Sequence, residues 1–200
     1  MIAALLGEGR SDRALLPILR WLLGRCADQD IRVEWVDTER FRLPHRTLKE
    51  KVAAALIACP CDLLFVHRDA DHEDPQPRHE EIRGAVGAHP HVAVVPVRET
   101  EAWLLIDPKA IAAAAGRPRW ADALNLPPVA RLEAVADPKR LLKSALMEAL
   151  GQTGRRAAHF DPDTAMHRAA DLVEDWSPLL QLSAFQRLER DTRAALGASA

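Results

Sequence analysis

Acidic side chains follow two apolar segments that we expect to form strands. Glu8 stands between two glycines directly after Ile2–Leu6, and Asp69 and Asp71 follow the apolar run 62–66. Side chains at positions i and i+2 of an extended chain point to the same side, so Asp69 and Asp71 can converge on one hard cation. Magnesium commonly takes one or two protein carboxylates and leaves its other positions to water and phosphate oxygens. Together with Glu8, the pair predicts a three-carboxylate cluster.

A second group of charged residues, Arg98, Glu99 and Glu101, comes just after a later apolar segment. If the chain is still extended there, the two glutamates project together toward the same crevice, with Arg98 as a counter-charge. If a helix has already begun, the two glutamates diverge. His67 and His72 flank the acidic pair and are candidates for contacting a metal or transferring a proton.

The overall charge of the chain limits how it can meet other molecules. The net charge is −2, so nucleic acid can be held only by local patches. Two basic runs, 40–51 and 139–156, are the candidates, although such runs usually form solvated helix faces. The chain contains no tyrosine, which excludes reactions through a phosphotyrosine bond. No uninterrupted apolar stretch is long enough to cross a membrane, so we expect a cytoplasmic protein.

The elements that must position these residues can be inferred from the apolar pattern. Apolar segments at 2–6, 31–36, 62–66 and 92–97 alternate with helical patterns, which predicts an α/β fold with a mainly parallel four-stranded sheet flanked by helices. After residue 98 the pattern is helical, with prolines between the helices. We therefore expect an α/β core over 1–107 and a helical extension over 108–200, packed into one compact unit. In such a sheet, ligands bind beyond the carboxyl ends of the strands.

The glutamate-glycine after strand one and the Asp-x-Asp after strand three resemble the Toprim domain of topoisomerases, bacterial primases and several nucleases. This likeness covers the first half of the chain. A narrower resemblance, to a bacterial family of stand-alone Toprim-like proteins often encoded beside ATPases in defence-related loci, extends over most of it. Its segments are Leu6–Gly9, Asp69–Asp71, Pro96–Asp107, Asp137–Leu142 and Ser183–Phe185. The chain departs from the usual pattern in the polar His67 and Arg68 at the end of the third strand.

The resemblance implies a magnesium- or manganese-dependent phosphodiester chemistry. Asp69 and Asp71 would bind the metal, and Glu8 would bind it or act as general acid/base. Glu99 or Glu101 would complete a second metal position. The leading hypothesis is therefore a nuclease or related phosphoryl-transfer enzyme acting on DNA or RNA.

Two other functions fit the same residues. The first is a non-catalytic Toprim-like subunit that binds a nucleotide, nucleic acid or an ATPase partner. It is favoured by the absence of an overall basic charge, which a nucleic-acid-cutting enzyme would use to hold its substrate. The second is a nucleotide-dependent enzyme acting on small molecules, which is disfavoured because the glycine pattern around Glu8 is not that of a phosphate-binding loop.

Overall fold

A computed structural model describes residues 1–37, 47–70, 74–151 and 159–197 of the chain. The chain divides into two compact units: Met1–Val97 together with Ser183–Ala200, and Arg98–Leu182. The first division therefore comes ten residues before the expected one at 107, and the end of the chain belongs with the first unit. Most of the helical second half forms a unit of its own.

The first unit contains a parallel sheet of four strands. They are β1 (Ile2–Leu6), β2 (Arg32–Trp35), β3 (Leu63–His67) and β4 (His91–Val94), and their order is β2-β1-β3-β4. The predicted four-stranded parallel sheet is thus confirmed. The central strands β1 and β3 are paired with each other, and they consist of buried apolar side chains apart from exposed Ile2 and buried polar His67.

The helices lie between the predicted strands and over the second half, where the apolar periodicity predicted them. They are α1 (Leu15–Cys26), α2 (Leu48–Ala58), α3 (Gln76–Val86), α4 (Glu101–Leu104), α5 (Pro108–Ala114), α6 (Pro138–Leu150), α7 (Pro162–Leu172) and α8 (Ser183–Ala195). Short 3-10 segments, which the pattern did not predict, lie at Arg10–Ala14, Pro118–Ala123, Val129–Ala134 and Ser177–Gln181. Within the described ranges, no helix is long and apolar enough to cross a membrane.

Local sequence signals set several helix ends. Thr47 and Glu50 form a reciprocal capping box at the start of α2, where each side chain accepts a hydrogen bond from the other's main-chain N–H. Helix α6 begins after Asp137, whose side chain accepts from Arg140 N–H, and it ends at Gly151, which adopts the left-handed conformation.

Helices cover the sheet of the first unit and position its strand ends. On one face, alternate residues of β1 and β3, such as Leu6 and Val66, form a core with Val52 of α2 and Ile82 of α3. Helix α8 contacts β4 and α1, and the Trp21 and Phe185 rings lie 6.3 Å apart between α1 and α8. The carboxyl end of the sheet is thereby held by packing on both sides of the central strands.

Candidate functional site

The loop after β1 is organised around a buried carboxylate, that of Asp12. Its Oδ2 accepts hydrogen bonds from Glu8 N–H at 2.7 Å and from Gly9 N–H at 3.1 Å, and Ser11 Oγ lies 3.2 Å from Oδ1. Asp12 lies at the third position of the short 3-10 segment Arg10–Ala14, where it accepts from the N–H of Gly9, the residue before the segment, and it also fixes the main chain that carries Glu8.

Gly7 makes this close packing possible. A Cβ atom at position 7 would lie 2.7 Å from Asp12 Oδ2 and 2.8 Å from the Trp35 ring, both far inside van der Waals contact. Because Asp12 is held by the N–H groups of Glu8 and Gly9, a side chain at this position would displace the loop. Gly7 is therefore required by close approach between the loop and its surroundings.

His67, at the end of β3, lies between two carboxylates. Its side chain is fully buried, with Nε2 3.3 Å from Asp69 Oδ1 and Nδ1 4.0 Å from Asp12 Oδ2. The imidazole thus links the loop after β1 to the segment after β3. The structure places Asp69, one of the predicted ligands, close to the Asp12 loop that carries Glu8.

Arg68, the residue after β3, contacts carboxylates from the loop after β1 and from α3. Its Nε lies 2.6 Å from Glu8 Oε1, and its NH1 lies 3.3 Å from Oε1 of Glu81 on α3. Arg78 approaches the other oxygen of Glu81, also at 3.3 Å. Arg68 Nε makes no directed hydrogen bond within the described residues despite its short distance to Glu8, so we treat that contact as mainly Coulombic.

The register of the sheet explains why Glu8 and Arg68 meet. Leu6 of β1 is paired with Val66 of β3, and Glu8 and Arg68 follow these residues by the same two steps. Parallel neighbours therefore place the two side chains at equivalent heights beyond the strand ends. Asp69 comes one residue later, on the same edge of the sheet.

We call these residues the strand-end cluster. Its members are Glu8, Asp12, His67, Arg68, Asp69 and Glu81. With Arg78 included, the four carboxylates of the cluster outnumber the guanidinium groups by two. That excess of negative charge is the kind that one divalent cation can neutralise.

Two further predicted residues, Asp71 and His72, lie outside the described residues. In the part of the chain that the structure describes, no group of three or more His, Cys, Asp and Glu side chains is arranged to hold a metal ion. Glu8 and Asp69 remain as hard oxygen donors, and magnesium often uses no more than two such protein carboxylates.

Glu99 and Glu101 lie in the second unit, where both engage Lys139. Glu99 Oε2 accepts from the main-chain N–H of Lys139 at 3.1 Å, and Lys139 Nζ lies 3.1 Å from Oε1 of buried Glu101. Burial disfavours the ammonium, but attraction and hydrogen bonding by Glu101, with Glu99 and Asp163 nearby, outweigh it and raise the pKa of Lys139. The short helix α4 has begun at Glu101, yet the two glutamates converge on one lysine.

Arg98, expected as a counter-charge for these glutamates, forms no ion pair within the described part of the chain, and its buried Nε has no hydrogen-bond acceptor there. The second basic run is partly neutralised, since Lys143 Nζ lies 2.8 Å from Asp163 Oδ1 in addition to the Lys139 contact. Arg155 and Arg156, like residues 40–46 of the first run, lie outside the described residues.

The sequence reasoning missed Arg68, Glu81 and Asp12 as members of the site. A signal for Arg68 was present, because it occupies the same position after β3 that Glu8 occupies after β1. Using that signal requires knowledge that the two strands are neighbours. Glu81 has no comparable signal, because its helical position makes it indistinguishable from a solvated surface glutamate.

Comparison with protein-family models, curated proteins and solved structures gave no match.

Proposed function

We propose that this chain is a divalent-metal-dependent nuclease or related phosphoryl-transfer enzyme of Toprim type. The observation that carries the proposal is that acidic residues from beyond β1 and β3 lie at the same carboxyl end of a parallel sheet, where Arg68 contacts Glu8 and His67 lies between Asp12 and Asp69. The sheet order puts β2 on one side of β1 and β3 on the other. The connections from β1 therefore run to opposite sides of the sheet, and ligands of open α/β sheets bind in the crevice where this reversal occurs.

Glu8 and Asp69 are the described residues that would hold magnesium or manganese, with Asp71 as the expected third ligand. Both described carboxylates are partly accessible, with 41% of the Glu8 side chain and 24% of the Asp69 side chain exposed. Asp12, by contrast, is already used by main-chain N–H groups and acts as a support. The donor set of hard oxygens fits these two metals.

The residues would divide the work as follows. A bound ion supplies Lewis-acid polarisation of a phosphoryl oxygen. Glu8 would either bind this ion or, in place of binding it, accept and return a proton at its carboxylate as a general acid/base, while Asp12 holds the main chain beneath it. Without any tyrosine, the chain would cut by hydrolysis and not by forming a phosphotyrosine bond.

One observation favours a different function, a binding subunit that does not cut. Glu8 is paired with Arg68 at 2.6 Å, so its charge is already partly compensated. A site of this kind could hold a nucleotide, a nucleic acid or an ATPase partner without catalysis. A defence role in a bacterial cytoplasm is compatible with either function and stays part of the proposal.

The proposal is tested by incubating the full chain with single- and double-stranded DNA and RNA in the presence of Mg²⁺ or Mn²⁺. We expect metal-dependent cleavage that is lost in Asp69→Asn and unaffected in Asp28→Asn, which makes the same chemical change at an exposed loop residue of the first unit. Cleavage that survives in Asp69→Asn would refute the assignment. If the wild-type chain cuts nothing with either metal but binds one of these polymers, the binding function is favoured.

A further inference from the structure

Arg68 forms an ion pair with the candidate metal ligand Glu8. Its main-chain N–H donates to Val94 O at 3.2 Å, which continues the pairing of β3 with β4 by one residue. Its guanidinium extends to Glu8 on one side and Glu81 on the other, and 22% of the side chain is exposed. The arginine therefore starts from a fixed main-chain position and bridges carboxylates from two separate elements.

The contact with Glu8 is of a kind that another cation can replace. A bidentate arginine-carboxylate pair gains two directed N–H···O bonds, which make it strong and geometrically specific. Here Nε approaches Glu8 Oε1 at 2.6 Å but donates no directed hydrogen bond within the described residues. Ion pairs that remain partly exposed contribute little net stability, so exchange of the partner costs little.

A divalent cation and the Arg68 guanidinium compete for Glu8. Magnesium coordinates carboxylate oxygen at about 2.1 Å, which would bring two positive centres within a few ångströms of each other. In a partly desolvated cluster such like charges repel more strongly than they do in water. An ion that binds Oε1, the oxygen that Arg68 contacts, therefore displaces the guanidinium from it, while Glu81 remains as the partner of Arg68 on α3.

We propose that Arg68 is a displaceable counter-ion of Glu8 and that its displacement sets the metal affinity of the site. The inference rests on the proposed function, because it takes Glu8 as a metal ligand. In the metal-free protein Arg68 keeps Glu8 compensated and positioned. Binding of the ion breaks this pair, so the free energy of the pair is subtracted from that of metal binding.

The test is Mn²⁺ binding to the full chain, followed through the electron paramagnetic resonance signal of free Mn²⁺. Arg68→Gln should bind Mn²⁺ about three- to tenfold more tightly than the wild type, since the competing charge is gone. Arg32→Gln removes a guanidinium that is paired with Glu34 at the start of β2, outside the strand-end cluster, and its affinity should stay within about twofold of the wild type. A merely structural role for Arg68 would leave the affinity unchanged or lower it.

The outcomes separate this inference from the proposed function. If the wild type binds Mn²⁺ and Arg68→Gln binds no more tightly, the inference is wrong and the proposed function stands. Equal tightening in both arginine variants would also overturn it, because only the overall charge of the protein would then matter. If neither the wild type nor any variant binds Mn²⁺, both fail. Should Arg68→Gln not fold, Arg68→Met, which also removes the charge, replaces it, and unchanged or weaker binding by that variant refutes the inference.

Discussion

Replacing Asp12 should destabilise the first unit and loosen the main chain that carries Glu8. In Asp12→Ala, the N–H groups of Glu8 and Gly9 lose a charged acceptor at 2.7 and 3.1 Å in a place where Asp12 itself is only 6% exposed. Hydrogen bonds to charged groups are worth about 1.5–3 kcal/mol each, and their loss is offset by no longer burying a carboxylate. We expect a net loss of about 3 kcal/mol in the free energy of unfolding.

Asp12→Asn separates geometry from charge. Both main-chain N–H groups donate to the same oxygen, Oδ2, so an amide oxygen in that position can accept both. The amide nitrogen would then face Ser11 Oγ, which can accept as well as donate. The asparagine variant should therefore lose only about 1 kcal/mol, because neutral hydrogen bonds replace charge-assisted ones.

Asp107 provides a matched control for this measurement. It also accepts two main-chain N–H groups, those of Lys109 and Ala110, at 2.8 and 3.1 Å, but it does so at the exposed start of α5. Asp107→Ala should cost about 1 kcal/mol, the usual value for a helix cap. Urea unfolding followed by circular dichroism gives all three values, and a loss in Asp12→Ala no larger than that in Asp107→Ala would refute the reasoning.

Other predictions concern single residues elsewhere. Burial, with neighbouring arginines, lowers the pKa of His79 to about 4. In the unfolded chain His79 takes up its proton near pH 6.5, so the free energy of unfolding should decrease as the pH falls from about 6.5 to 4, by about 2 kcal/mol at pH 5. Unfolding measured over this pH range should show no such loss in His79→Gln. Burial and the Glu34 carboxylate raise the pKa of Cys59 to about 11, so the Cys59 thiol should react slowly with iodoacetamide near pH 8. In Glu34→Gln the same thiol should react about threefold faster or more. Gly151→Ala should cost about 1–2 kcal/mol in thermal or urea unfolding, because φ is +57° there and a Cβ would overlap the Arg117 guanidinium; an unchanged midpoint would contradict this.

The sequence predicted the strands of the first unit well because each is a short apolar or alternating segment bounded by polar or turn residues. Ile2–Leu6 and Leu63–His67 are mainly apolar, and Glu8 and Asp69 lie where expected, just beyond the ends of these strands. Strand order was not readable, because alternation of strands and helices is compatible with several orders. The actual neighbour relation of β1 and β3 is what brings Asp69 close to the loop that carries Glu8.

Long-range pairings between charged side chains could not be predicted from the sequence. Arg68 and Glu8 are far apart along the chain, and their contact depends on strand register and on the reach of an arginine side chain. Lys139 lies forty residues after Glu99, so its position as partner of both glutamates depends on how α6 packs within the second unit. Similarly, the amphipathic pattern of α8 shows that it has a buried face but does not identify the sheet unit as its partner.

The location of the metal is the central claim, and iron-directed cleavage of the polypeptide tests it most directly. Fe²⁺ uses similar oxygen ligands, and with ascorbate and peroxide it cuts the backbone close to where it is bound. Mass spectrometry of the fragments should show cuts near Glu8 and near Asp69 that excess Mg²⁺ suppresses. Cuts confined to other regions, such as the segment around Glu101, or cuts near Glu8 and Asp69 that Mg²⁺ does not suppress, would contradict a metal site at the strand-end cluster.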